Sequence, residues 1–339
     1  MNRTKIEWVK NPDGTPGYTW NPITGCLNHI DGMCKGGNFP CYAYKLANGR
    51  LRSRYLANTN LAKGANGGVA KLTIAGQTAI EREGDYADPF YPRFWPERLG
   101  QPYIYEKPCR IFVCDMGELF GDWVPEVWQR EVLNIIWSNP WHRFYLLTKQ
   151  PQNLIKFSHF PDNCFVGVTA TGAKMFKEAL AGLSEIQAKV KYISLEPMLE
   201  RIYNPLYVCQ DMVHLMATYL DWLILGACTG TKAEMSRLCA KTDIPYINVK
   251  PFGKKWTLQP KIEWVKEIVE AADWAGIPVF LKDNLKPLLP KEPPFYTKPC
   301  ADIDGQDPCY QEPCLSEHTI DECSKAPGFW RLRQEMPRT

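Results

Sequence analysis

Cys26, Cys34 and Cys41 stand close together in WNPITGCLNHIDGMCKGGNFPCYAY, at the spacing C-x7-C-x6-C. Thiolates are soft ligands suited to zinc and to iron–sulfur clusters. The glycines and prolines around them give a loop backbone that can wrap an inorganic core and aim amide N–H groups at its sulfides. A closed structural zinc site takes four ligands, so zinc here requires His29 as the fourth, a Cys3His set. A [4Fe–4S] cluster usually takes four cysteines. Held by three, it keeps one iron open to a substrate or cofactor. The spacing leaves both readings open.

A second cysteine set lies near the other end. Cys300, Cys309, Cys314 and Cys323 are spaced C-x8-C-x4-C-x8-C, with His318 as a substitute ligand. Four thiols match the ligand count of zinc or of a second cluster. No C-x2-C knuckle is present, so an auxiliary [4Fe–4S] cluster is preferred to zinc, and two disulfides are the bland alternative. The chain has 13 cysteines, an odd number, in 339 residues. Disulfide scaffolds are short and loop-rich. The opening MNRTKIEWVKNPDG carries no apolar signal core, and no apolar run is long enough to span a bilayer. The expectation is a cytoplasmic protein with no membrane partner, whose clustered cysteines hold metal. A net charge of +3 is too small to argue for nucleic acid by bulk attraction.

Hydrophobic content of 45% and charged content of 23% are those of a folded chain. The opening third is punctuated by Pro12, Pro16, Pro22 and Pro40 and reads as irregular, with one helix predicted over 42–56 carrying Lys45, Arg50, Arg52 and Arg54. Residues 57–107 read as loops and short pieces. From residue 110 strands and helices alternate. RIFVCD (110–115), RFYLLTK (143–149), CFVGVTA (164–170), KYISLEP (191–197), WLILGAC (222–228) and PVFLKDN (278–284) are short apolar runs. Between them, 126–139, 174–186 and 261–276 have helical spacing. This is an α/β pattern of βαβ units with a parallel sheet buried on both faces. Right-handed crossovers allow a barrel or a doubly wound sheet. KIEWVK occurs at 5–10 and again at 261–266, and the unrelated neighbours mark the two copies as coincidence. Residues 286–339 are Pro-rich, lose the period and read as a Cys-rich extension of a domain spanning 1–285.

The strand ends are polar or reactive: Asp115, Thr148 and Lys149, Thr169, Glu196, Cys228, Lys282 and Asp283. That edge is where barrels and open α/β sheets bind ligands. A polar residue capping the next helix explains any one of them. One shared cleft explains all of them together.

Several stretches resemble a known family. KIEWVKNPDGTPGYTWNPITGC followed by CYA looks like the opening of a phage- and prokaryote-associated three-Cys-motif family, the phage Gp37/Gp68-like domain of unknown function. Its members begin TKIEWT…TWNP.TGC. The likeness continues through FYPRFWPERLGQP, FVCDMGELFGDWVP (112–125), LLTKQP (146–151), SLEPML (194–199), LILGACTG (223–230) and GIPVFLKDNL (276–285), so it covers about residues 4–285. Two features depart from the family pattern. Six residues rather than two separate Cys34 from Cys41, and GACT stands where the family has GGES. The family resembles radical S-adenosylmethionine (SAM) enzymes and is distantly similar to spore photoproduct lyase.

That resemblance implies a partial (β/α) barrel with a [4Fe–4S] cluster on Cys26, Cys34 and Cys41. It also implies SAM chelating the open iron, reductive cleavage to methionine and a 5′-deoxyadenosyl radical, and hydrogen abstraction from a substrate. An electron donor such as ferredoxin or flavodoxin is the implied partner. Asp115 and Glu118 would take the SAM ammonium, Lys149 its carboxylate and Glu196 a ribose hydroxyl. Gly226 would let the backbone approach the adenine, and Tyr42 or Phe39 would stack on it or shield the cluster. Lys282 and Cys228 are the substrate-side candidates. The substrate expectation leans to nucleotide or nucleic acid, and an auxiliary cluster would lean to peptide or protein modification. A non-enzymatic iron–sulfur or zinc protein is the competing class.

Overall fold

The structure, a computed structural model, describes residues 1–62, 87–202, 210–289 and 332–337. An eight-stranded sheet dominates it. In chain order its strands are β1 (Asn2–Arg3), β2 (Tyr18–Trp20), β3 (Arg110–Val113), β4 (Arg143–Thr148), β5 (Cys164–Thr169), β6 (Val190–Leu195), β7 (Trp222–Leu225) and β8 (Val279–Leu281). Spatial order equals chain order. β1 pairs antiparallel with β2, and every pairing from β2 to β8 is parallel. Successive neighbours joined by crossovers are the topology of a barrel rather than of a doubly wound sheet, whose order reverses partway. The chain is an α/β protein built on a partial (β/α) barrel.

Period-2 alternation sorts the strand residues onto two faces. On the convex face Ile111, Val113, Phe144, Leu146, Val166, Val168, Ile193, Leu195, Leu223 and Leu225 are buried under helices. Those helices carry the matching stripes. In the helix Ala173–Ser184, Phe176, Ala179, Leu180 and Leu183 are buried; in Ile262–Trp274, they are Trp264, Val265, Ile268, Ala271 and Ala272. Both sets follow the i, i+3, i+4, i+7 spacing of one helix face. The second helix ends as its sequence predicts, at Gly276 with φ +70°.

The concave face is aromatic. Phe112, Tyr145, Phe165, Tyr192, Trp222 and Phe280 line it, and Trp8, only 2% exposed, fills the space they leave. Its ring centroid lies 5.2 Å from Phe112, 5.3 Å from Tyr145, 6.1 Å from Tyr192 and 5.9 Å from Trp222, each in an edge-on arrangement. Such contacts are favourable between ring quadrupoles. A Cβ at Gly167 would sit 2.2 Å from the Tyr192 ring, so a bare backbone on β5 gives that ring its place.

Several expectations need correction. The opening third supplies two strands of the sheet, β1 and β2. YTW is too short to show a period, and it lies between Gly17 and Pro22. The helix predicted over 42–56 is two, Tyr42–Asn48 and Arg52–Leu56, interrupted at Gly49. WLILGAC is not one strand. β7 stops at Leu225, and Cys228–Gly230 joins Val249–Phe252 and Lys255–Leu258 in a separate antiparallel sheet. Of residues 57–107, those at 63–86 lie outside the described residues, as do Cys300, Cys309, Cys314, Cys323 and His318. The last described residues of the extension return to the barrel. Leu281 N donates to Arg333 O and Glu335 N to Val279 O, while the Trp222 indole donates to Glu335 O. Among the described residues no helix is long and apolar enough to cross a membrane.

Two outcomes follow from this packing. Trp8→Ala should destabilise the protein by about 3–5 kcal/mol, as expected for deleting a large buried ring; urea unfolding measures it. Glu335 accepts from Val279 N and pairs with Arg333. Burial tends to raise its pKa, but those partners outweigh it and hold the carboxyl below its ordinary 4.5. Its contribution is therefore complete above 4.5 and is lost as pH falls through the lower folded value. Glu335→Gln should unfold at lower urea than the parent at about pH 6, by less than about 1 kcal/mol for so exposed a pair, and the difference should shrink as pH falls below 4.5 through the lower folded value.

Candidate cluster-binding site

All three N-terminal cysteines hang over the C-terminal ends of the strands. Cys26 N donates to Phe90 O, and Gly25 bridges to Gly117, just past β3. The chain then makes a two-residue hairpin in which His29 pairs with Cys34 and Ile30 with Met33. Its loop residues Asp31 and Gly32 have φ +47° and +79°. Asp-Gly with both φ positive is the favoured turn for such a hairpin. The long link after Cys34 folds back on itself. Cys34 N donates to Phe39 O, Asn38 N to Cys34 O, and Cys41 N to Gly32 O. Six residues thus return Cys41 to the hairpin, and a Gly37 Cβ would lie 2.3 Å from Thr171 Oγ1, so the loop is seated on the end of β5.

Backbone N–H groups reach two of the three thiols. Asn28 N donates to Cys26 Sγ at 3.2 Å and Tyr44 N to Cys41 Sγ at 3.5 Å, where Cys41 caps helix Tyr42–Asn48. Burial pushes the Cys26 and Cys34 thiols up. Lys149 is the cation among them. Burial alone would lower its pKa, but Cys34, Glu118, Cys26 and Cys41 together hold its ammonium above the ordinary range. Among the described residues no three His, Cys, Asp or Glu side chains converge tightly enough for a single metal ion. His29 does not complete a Cys3His set. Its ring packs 4.8 Å from Tyr44 and 5.4 Å from Phe90, and burial lowers its pKa.

The carboxylates nearby differ. Glu118 is buried and already used: Oε1 accepts from Thr148 Oγ1 at 2.7 Å and from Phe120 N, and Oε2 from Lys149 N at 3.0 Å. It ties the end of β3 to the end of β4. Asp115 takes Asn21 Nδ2 at 2.6 Å on one oxygen, and burial raises its pKa. The Tyr42 hydroxyl donates to Asp115 O, which fixes the helix after Cys41 to the end of β3. Tyr42 as a residue is 54% exposed.

Across the mouth a second group forms on β6, β7 and β8. Glu196 and Lys282 make an ion pair over Gly226, which lies just past the end of β7, the strand between β6 and β8. A Cβ at Gly226 would meet Glu196 Cγ at 3.1 Å and Lys282 Cδ at 3.2 Å, so the glycine leaves room for the pair. Thr169 lies on the same concave face by alternation. Cys228 lies near Glu196 but starts a strand of the separate antiparallel sheet rather than ending a barrel strand. It is buried in the convex-side core, and burial pushes its thiol up to about 12, so it stays protonated. Sequence reasoning missed three contributors: Asn21, the Lys45–Glu234 ion pair that ties the helix after Cys41 to helix Lys232–Cys239, and Glu7, which accepts from Asp283 N. WNP and the capping box Thr231–Glu234 were the available signals.

Similarity to known proteins is distant. No curated protein matches the chain. Among solved structures, spore photoproduct lyase complexed with dinucleoside spore photoproduct superposes with a TM-score of 0.48 at 12% identity, covering 81% of this chain and 78% of that one. A substituted form of the same lyase with bound AdoMet and dinucleoside spore photoproduct gives 0.46 at 11% identity, covering 82% and 80%. A family described as "Protein of unknown function (DUF5131)" matches residues 3–242, which takes in the cysteine loop and β2 to β7, and the chain belongs to that family.

Proposed function

We propose that the protein is a radical SAM enzyme whose [4Fe–4S] cluster is held by Cys26, Cys34 and Cys41. The observation that carries this is the suspension of three free thiols, from one short loop, around Lys149 at the mouth of a partial barrel. Three ligands would leave one iron open for SAM, and a cluster held there would supply the reducing electron for its cleavage.

The chain's own residues do the positioning. Lys149 offers an ammonium to the SAM carboxylate, with Glu118 fixing its backbone from below. Asp115 keeps an acceptor for the SAM ammonium, because Glu118 is already satisfied. Glu196 accepts from a ribose hydroxyl while Lys282 holds its carboxylate in place, and Gly226 leaves space for a flat ring. Tyr42 covers the cluster side. The closed aromatic floor under Trp8 keeps solvent from reaching the mouth through the barrel. Lys282 faces the substrate, whereas a protonated, buried Cys228 is poorly suited to attack or ligation. A ferredoxin- or flavodoxin-class reductant is the expected partner, and nucleotides, oligonucleotides and peptides are the substrate classes to screen for a product.

Anaerobically reconstituted protein should convert SAM to methionine and 5′-deoxyadenosine with dithionite, and replacing Cys26, Cys34 and Cys41 together by Ala should remove about one cluster's iron and sulfide per chain. Iron unchanged in the triple variant would place the cluster elsewhere. No SAM binding by fully clustered protein, measured by calorimetry, would leave an iron–sulfur protein without this chemistry. Glu196→Ala should weaken SAM binding by about 1.5–3 kcal/mol through loss of a charged hydrogen bond. Gly226→Ala should weaken it in the same direction by forcing the Glu196–Lys282 pair apart. Both variants should keep full iron content, and SAM affinity equal to the parent in both would remove Glu196 from the SAM site.

A further inference from the structure

Arg110 and Arg143 begin the adjacent parallel strands β3 and β4 and are direct register partners. Each lies two residues before a ring of the aromatic floor, Phe112 and Tyr145, so alternation places both on the concave face. Strands in a sheet are about 4.8 Å apart, so two guanidinium-bearing side chains leave the backbone side by side. Both residues are half-buried. The ion pairs among the described residues use other arginines, and no carboxylate is paired with either of these. Arg143 turns inward, its Cζ 4.6 Å from the Phe165 ring centroid. Tyr145 is fully buried, and among the described residues its hydroxyl proton has no acceptor, the guanidinium groups of Arg110 and Arg143 being the polar groups beside it. The charges acting on that phenol are Arg110 and Arg143. Guanidinium groups only donate, so the phenolic proton still lacks an acceptor.

Like charges side by side and a stranded O–H donor share one remedy, an anion with several acceptor oxygens. We propose that Arg110, Arg143 and the Tyr145 hydroxyl form an oxyanion site at the N-terminal end of the barrel lumen, taking a small ligand with a phosphate or carboxylate group. The paired forks suit the flat edge of such a group. The site lies at the opposite end of the strands from the cysteine loop and does not depend on SAM chemistry.

The test is calorimetry on the full chain in chloride buffer, titrated with inorganic phosphate and separately with acetate at constant ionic strength. Saturable binding of one of them is expected, weakened at least about tenfold in Arg110→Gln and in Arg143→Gln, and by less in the isosteric Tyr145→Phe. Tighter phosphate identifies a phosphate-bearing ligand, and tighter acetate a carboxylate. A thermal melt covers variants that fold poorly: the bound anion should raise the parent's midpoint and raise that of Tyr145→Phe less. No saturable binding of either anion to the parent at tens of millimolar, or equal binding by the parent and folded Arg→Gln variants, overturns the site.

Discussion

A parallel sheet must hide both its faces from water, and here the concave one is closed by a ring that does not belong to it. Trp8 comes from a turn between β1 and β2 and meets rings from β3, β4, β6 and β7. A flat sheet could not bring four strands to one indole. The sheet therefore curves around Trp8, and that curvature decides where every strand end points. Lys149, Thr169, Glu196 and Lys282 meet over one opening because the floor beneath them is bent.

The mouth is then organised in two halves. On the β3–β5 side, Glu118 and Asp115 serve as fasteners: one joins neighbouring strand ends, the other holds Asn21. The cysteine loop is hung on Asp115 through Tyr42 and on Thr171 through Gly37. On the β6–β8 side, charge is balanced across the gap left by Gly226. The first half is tightly bonded to itself, and the second is a partly buried ion pair with room above it. A cofactor spanning both would meet fixed sulfur ligands on one side and adjustable charges on the other.

Much of this was legible in the sequence, for reasons specific to each element. Strands β3 to β8 are apolar runs between helices with clear stripes, so the period carried them. β2 did not show, because three residues cannot display a period and its partner is ninety residues away. The cleanest illustration is KIEWVK. At 5–10 it is a turn that aims Trp8 into the lumen, and at 261–266 it is helix that aims Trp264 at the convex core. Local preference is identical in both copies, so tertiary context decides. Polar strand ends pointed to one end of the sheet, and the structure gathers them there. Which of them were free to act was hidden, since Glu118 and Asp115 look alike until their hydrogen bonds are drawn. Cys228 looked like a strand-end thiol because WLILGAC reads as one apolar run, while the chain leaves the barrel after Leu225.

The return of residues 332–337 to β8 bears on how the molecule assembles. Residue 8 fills the lumen, and residues 334–336 close its far edge, with Met336 packed on the same aromatic set as Trp8. The floor is thus completed by segments more than three hundred positions apart. Contacts of such separation are slow to form, because loop closure precedes any reward. During synthesis the βα units can collapse one after another, yet the aromatic floor stays open along β8 until the last strand-like segment leaves the ribosome. An intermediate of that kind presents an unpaired parallel edge beside exposed rings, the surface most prone to self-association. Assembly of this barrel is therefore gated by residues 332–337, however early its individual units take shape.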